Sequence, residues 1–204
     1  MLDLVIPYKN NDSGELETCL KLIKNNFPHR NIHVVEYESG SVYKLPPHRD
    51  MIVKLKWAIE RLYLTEDFYL FNDDFFVLEP TEQTPYYYRG TLNDHISERA
   101  VNDWYTKNLV STRNYIGNLL SYELHVPFKF NKNKLYDLIQ ELKPETNKAC
   151  PLIRSTYGNL HEVGGTQIKD VKNIPDFHGK TYLSTTENSF RQEIGNYIKM
   201  KTYL

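Results

Sequence analysis

The opening of the chain reads strand, helix, strand, and that order restricts the fold more than anything after it. "LDLVIPY" is a short apolar run ended by proline, the signature of a buried strand. "KNNDSG" has the composition of a loop. Leu16, Cys19, Leu20, Ile23 and Phe27 then recur at helical spacing, which predicts an amphipathic helix over Glu15–Phe27. "NIHVVEY" reads as a second strand. Two strands joined by a helix lie parallel, and a parallel sheet needs helices over its faces. The expected class is therefore α/β, a mixed and mostly parallel sheet flanked by helices.

The rest of the chain extends this pattern. Pro46 and Pro47 precede a second helix with the stripe Met51, Ile52, Leu55, Ala58, Ile59 and Leu62, and Asp50 is expected at its N-cap or in its first turn. "FYLF" reads as a third strand, "FFVLEP" as a further extended run and "TPYYYRG" as one more strand. From about Ile96 to Leu124 the pattern is helical. Asn131 is expected to cap a helix running through Glu141, and Pro144 to stop it. "NLHEVGGTQ" reads as a loop, "KTYLSTTEN" as a late strand and loop, and Phe190, Ile194, Tyr197 and Ile198 stripe a terminal helix. No repeat or linker interrupts the 204 residues, so one domain is expected over 1–204.

Lys and Arg number 25 against 26 Asp and Glu, a net charge of -1 that argues against a protein coating nucleic acid or an anionic membrane. No apolar run approaches the roughly 20 residues of a membrane span. No secretory signal is read at the start, and the two distant cysteines, Cys19 and Cys150, have no metal-type spacing, so a reduced cytoplasmic protein is expected. The 16 tyrosines suit stacking on sugars or bases, although half-buried positions in strands and helices account for most of them equally well.

The chemistry concentrates in "YLFNDDFFVL". Ionised carboxylates beside apolar runs cost several kcal/mol unless compensated. A divalent cation is one compensator, since it takes one or two carboxylates plus substrate phosphate oxygens. A solvated Asx-turn between two strands is the other. On an extended segment Asn72 and Asp74 would project together and Asp73 away from them. In open α/β sheets ligands collect at the carboxyl ends of strands, where this stretch sits.

The context bears on that choice. Leu45-Pro46, the Ala58-Ile59-Glu60 run, the aromatic strand Phe68–Phe71 and Asn72-Asp73-Asp74 together resemble the second conserved block of the Stealth family of sugar-phosphate transferases, which have a glycosyltransferase-A-like core. "LHVPFKFNKNKLYDLIQEL" is similar to the next block, "CPLIRSTYGNL" to its Arg-Ser segment, and "KTYLSTTEN" to the last. The opening departs from the family, with "IPYKNND" where a "TWVDG" type sequence is usual, and is closer to general glycosyltransferase-A proteins. The resemblance implies a single-domain glycosyltransferase-A-like (Rossmann-like) fold and a metal-dependent transferase using a nucleotide-sugar, a UDP-sugar first, with Mg²⁺ or Mn²⁺ as cofactor.

The residues expected at the site follow from the same likeness. Asp74 is the expected metal ligand, with Asn188 completing the shell. His125, Arg154 and Asp73 are the expected catalytic residues. Tyr8, Asn10, Asn11, Arg49, Lys54, Asn72 and Asp73 are expected on the donor. Each has a plainer account. Asp50 and Lys54 fit an i,i+4 pair, Arg154 fits an acid partner, and "TEN" fits a helix cap. Tyr86, Tyr87 and Tyr88 offer an acceptor wall, and Gly164-Gly165 a lid or tight turn. The acceptor hydroxyl belongs to a glycan or, as in some phages, to a hydroxymethylated DNA base, for which "KFNKNK", "KDVKN" and "IKMKTYL" supply lysines. Transfer of a sugar phosphate is the alternative reaction, and a non-catalytic carbohydrate- or nucleic-acid-binding module the alternative class.

Overall fold

The computed structural model describes residues 1–8, 13–36, 45–82, 84–99, 103–146 and 150–203. A four-stranded sheet is made of β1 (Asp3–Pro7), β2 (Ile32–Val35), β3 (Asp67–Leu70) and β6 (Phe128–Asn131), in the order β2-β1-β3-β6. β1 pairs parallel with β2 and with β3, and β6 closes the edge antiparallel to β3. β4 (Phe75–Val77) leaves this sheet and pairs antiparallel with β8 (Tyr182–Ser184). β5 (Tyr87–Tyr88) pairs with β7 (Thr166–Gln167).

Alternation along β1 and β3 explains why both faces of the sheet are covered. Leu4 and Ile6 of β1, with Tyr69 and Phe71 in and just beyond β3, pack with Cys19, Leu22 and Ile23 of α1 (Glu15–Asn26). Val5, Phe68 and Leu70 point to the other side, against Ile52, Leu55 and Ala58 of α2 (Pro47–Arg61) and Leu135 and Ile139 of α5 (Lys132–Leu142). Burying one such side chain is worth about 1.5–3 kcal/mol, so a one-residue slip of β1 would be strongly disfavoured.

The expected helix from Ile96 to Leu124 is instead two helices. α3 (Leu92–Ser97) starts at a capping box in which Thr91 and Asp94 satisfy each other's orphan groups. α4 (Trp104–Ile116) starts at Asp103 and ends at Gly117, whose φ of 86° a residue with a Cβ adopts at a cost. Chain 118–124 then runs irregularly, forming one bridge between Leu120 and Thr91. Asn131 caps α5 as expected, accepting from the amides of Asn133 and Lys134. Three elements go beyond the sequence reading: β6, α6 (Ile153–Leu160), which contains Arg154 and Ser155, and β7, which lies in the stretch expected to be a loop. The terminal helical stripe is also divided, into α7 (Glu187–Phe190) and α8 (Glu193–Met200). Asp50 is in the first turn of α2, and Pro46 occupies the N-cap position.

Candidate active site

β1 and β3 are parallel neighbours, so Tyr8, Asn72, Asp73 and Asp74 all fall at one end of the sheet. The helices that follow β1 and β2 begin at that same end. Glu15 opens α1, and Asp50 and Lys54 lie in the first half of α2.

Residues 72–74 form a turn, with the Phe75 amide donating to the Asn72 carbonyl at 3.2 Å. The turn and the ligand site of the sequence reading are thus compatible. The expected pairing of Asn72 with Asp74 does not hold, because the segment is not extended and side chains do not alternate through a turn. Asn72 Oδ1 accepts from Arg154 Nη2 at 3.4 Å. Asp74 Oδ2 accepts from Lys172 Nζ at 2.9 Å and from Ser184 Oγ at 3.1 Å. Asp74 Oδ1 is buried and has no hydrogen-bond partner among the described residues.

Asp73 completes an acidic group with Asp74 and Glu15. Burial, then the charges of Asp74 and Glu15, push the Asp73 carboxyl up to about 6. Glu15 is itself buried and accepts from Thr185 Oγ1 at 2.7 Å. Cys19 lies beneath, donating to the Phe75 carbonyl at 3.0 Å, and its thiol is pushed upward by burial and by the same carboxylates.

Arg154 and His125 reach the turn from the other side. Arg154 is 5% exposed, lies 5.2 Å over the Phe75 ring and donates through Nη1 to the carbonyls of Leu124 and Val126. Those carbonyls flank His125, so one guanidinium ties the histidine segment to Asn72. The His125 ring meets Phe75 edge-on at 6.0 Å, and its Nδ1 lies 2.8 Å from Asp170 Oδ2. Burial works against ionising Asp170, but the His125 contacts and the Val171 amide outweigh it and hold the carboxyl down at about 2.

The other expected site residues are placed differently. Tyr8 is buried, and its carbonyl accepts from Lys54 Nζ at 2.7 Å; Lys54 also pairs with Asp50 at 2.9 Å. The i,i+4 pair is therefore real and half-buried, and the Lys54 bond to the Tyr8 carbonyl fixes the end of β1 to α2. Arg49 donates to the carbonyls of Pro144 and Glu145 and makes no hydrogen bond to the acidic turn among the described residues. Asn188 is exposed on α7, behind a capping box of Thr186 and Ser189, and makes no hydrogen bond to Asp73 or Asp74 among the described residues. Asn10 and Asn11 lie outside the described residues. Tyr86 and Tyr88 pack against the core beneath α2, while Gly165 lies against the Tyr86 carbonyl.

The sequence reading missed Glu15, Asp170, Lys172 and Ser184. "KDVKN" stands out in the sequence for its lysines alone, and nothing in its spacing ties it to a turn nearly 100 residues earlier. An open groove of about 600 Å³, lined by Met1, Lys24, Phe27, His29 and Pro80, lies at the opposite end of β1 and includes none of these groups.

Among the described residues no group of three or more His, Cys, Asp or Glu side chains is arranged to hold a metal ion. The donor set fits a cation of another kind, held by one or two carboxylates and completed by substrate oxygens and water. An orphaned carboxylate oxygen on Asp74, beside an Asp73 whose charge is resisted, is the chemistry such a cation relieves. Among the described residues no helix is long and apolar enough to cross a membrane. No protein-family model matches the chain, and no curated protein matches it.

Proposed function

We propose that the protein is a metal-dependent glycosyltransferase that moves a sugar from a nucleotide-sugar, a UDP-sugar first, to an acceptor hydroxyl. The observation that carries this reading is the Asp73–Asp74 pair at the carboxyl end of β3, with one buried carboxylate oxygen unpartnered. The order β2-β1-β3 with antiparallel β6, followed by the small β4-β8 sheet after the acidic turn, supports a glycosyltransferase-A-like core. Asp74 through Oδ1, with Asp73 beside it, would hold Mg²⁺ or Mn²⁺. When bound, the ion would supply positive charge to the leaving nucleotide diphosphate.

The chain's own residues supply the rest. Arg154 is buried and always charged, and its 3.4 Å bond to Asn72 is long enough to be exchanged for a phosphate oxygen. His125, half-exposed beside the turn, is the group that receives the acceptor's proton. Lys172 and Ser184 hold Asp74 Oδ2 in place. Lys54 acts by fixing the Tyr8 end of β1, where the donor's base and ribose are expected.

Of the seven lysines expected to face DNA, three are held by hydrogen bonds within the protein and two more, Lys129 and Lys199, lie over aromatic rings. Lys132 Nζ donates to the Leu64 carbonyl, Lys172 to Asp74 and Lys201 to Glu79. That favours a glycan acceptor over duplex DNA. Incubation with a panel of nucleotide-sugars, Mn²⁺ and candidate acceptors tests the assignment through its products. Release of a nucleoside diphosphate supports glycosyl transfer, and release of a monophosphate means sugar-phosphate transfer. Nucleotide binding without either product would leave only a binding module.

A further inference from the structure

We propose that Asp170 is a positioning residue that holds His125 as its Nδ1–H tautomer, leaving Nε2 unprotonated on a ring that packs against Phe75, the residue that follows the Asn72–Asp74 turn. The two oxygens of Asp170 do different work. Oδ1 accepts from the His125 amide at 3.1 Å and from the Val171 amide at 2.8 Å. Oδ2 faces His125 Nδ1 at 2.8 Å. An ionised carboxylate only accepts, so the proton at that contact belongs to Nδ1. Nε2 then carries the lone pair, and it has no hydrogen-bond partner among the described residues. The low acidity range of Asp170 keeps it an acceptor across the neutral range.

The segment carrying Asp170 is itself clamped. The Ser184 amide donates to the Val171 carbonyl, and the Asn173 amide donates to the Ser184 carbonyl. Lys172, on the same segment, holds Asp74. One short stretch, 170–173, thus positions both the histidine and the acidic turn. Arg89 backs Asp170 at 3.9 Å and donates through Nη1 to His95 Nε2 at 3.1 Å. His95 Nδ1 must then carry its own proton and donate to Ser121 Oγ at 2.8 Å. Burial and the charges of Arg89 and Arg99 hold His95 down at about 3, in the neutral form this arrangement needs.

The consequence for turnover rests on the transferase reading. The acceptor oxygen bonds to the anomeric carbon as the bond from that carbon to the phosphate oxygen breaks. The nucleoside diphosphate leaves with the electron pair. The acceptor's proton passes to His125 Nε2, and the imidazolium formed keeps its Nδ1–H on Asp170 until Nε2 returns the proton to water.

Asp170→Asn tests this with two separable readouts. Two backbone amides already hold the Oδ1 position, so the new side chain keeps its carbonyl there and turns its NH₂ to Nδ1. The imidazole must then accept at Nδ1 and carry its proton on Nε2. Long-range ¹H–¹⁵N NMR at neutral pH is expected to show His125 as Nδ1–H in the wild type and Nε2–H in D170N. An Nε2–H signal in the wild type, or an unchanged tautomer in the variant, overturns the assignment without reference to activity. With a donor that the wild type turns over, kcat of D170N is expected to fall by about 10²–10⁴-fold with the donor KM unchanged. A flipped tautomer with unchanged kcat overturns the positioning role. Absence of turnover by the wild type with every donor would remove the transferase reading, and the tautomer alone would then decide for or against Asp170.

Discussion

The two ends of the central sheet each hold aspartate carboxylates, and they treat them in opposite ways. At the amino end, Asp3 is fully buried and fully engaged. Its Oδ1 accepts from the Asn31 amide and side chain, at 3.1 and 2.9 Å, and its Oδ2 from the Thr65 amide at 2.7 Å. Arg30 and His33 stand 4.0 and 3.9 Å away. Burial opposes its charge, yet these partners outweigh it and leave the carboxyl below its usual range. At the carboxyl end, Asp74 keeps one buried oxygen orphaned and Asp73 is pushed up to about 6. His33 Nε2 at the amino end also makes no hydrogen bond among the described residues, although it lies 3.9 Å from Asp3 Oδ1. A carboxylate that serves the fold is satisfied by the fold. One left unsatisfied marks a place where something else supplies the charge.

The largest expected effect comes from breaking the satisfied end. Asp3→Ala strands the Asn31 and Thr65 amides, and urea unfolding is expected to show a loss of about 3–5 kcal/mol. A loss below about 1 kcal/mol would make Asp3 as dispensable as a surface acid. The unsatisfied end should respond with the opposite sign. With EDTA present at pH 7, Asp73→Asn is expected to be more stable than the wild type by about 2 kcal/mol. The sign follows from linkage. A carboxyl whose folded pKa lies above its unfolded one binds more protons when folded, so the wild type gains stability as pH falls from about 6 towards 3.8. The advantage of D73N should therefore shrink over that window. Asp3, with its folded pKa depressed, gives the reverse, with stability present above 3.8 and lost as pH falls through its lower folded value. Thermal melts from pH 7 to 3 check both, and a D73N advantage that is flat with pH would break the contrast. The smallest effect is expected from Ser184→Ala, which removes one hydrogen bond from Asp74 and costs about 1 kcal/mol in urea unfolding.

The contrast also separates what the sequence discloses from what it does not. The parallel core was legible because β1 and β3 are buried on both faces while α1 and α2 show a single apolar stripe. The acidic turn was legible because charge at the end of an apolar strand is costly. The split between α3 and α4 was signalled by Asp103, the N-cap of α4, a local cap that the longer helical periodicity masked. The partners of the turn were not legible. Glu15, Asp170, Lys172 and Ser184 come from a helix start, a loop and a strand end, and only the folded chain brings them to Asp73, Asp74 and His125. Arg49 and Asn188 show the converse, since motif position suggested a ligand role and folding gave one to backbone carbonyls and left the other on the surface.

The most direct measurement is thermal stability of the wild type and Asp74→Asn with UDP and other nucleoside diphosphates, each with and without Mn²⁺. A nucleotide at 100 times its Kd stabilises the folded state by about 2.7 kcal/mol, a shift of several degrees. The wild type is expected to show such a shift only when nucleotide and Mn²⁺ are present together, and D74N to lose it while unfolding at a similar temperature alone. Equal stabilisation of both proteins, or none of the wild type by any pair, would contradict the assignment of the carboxyl end of β3 as a donor and metal site.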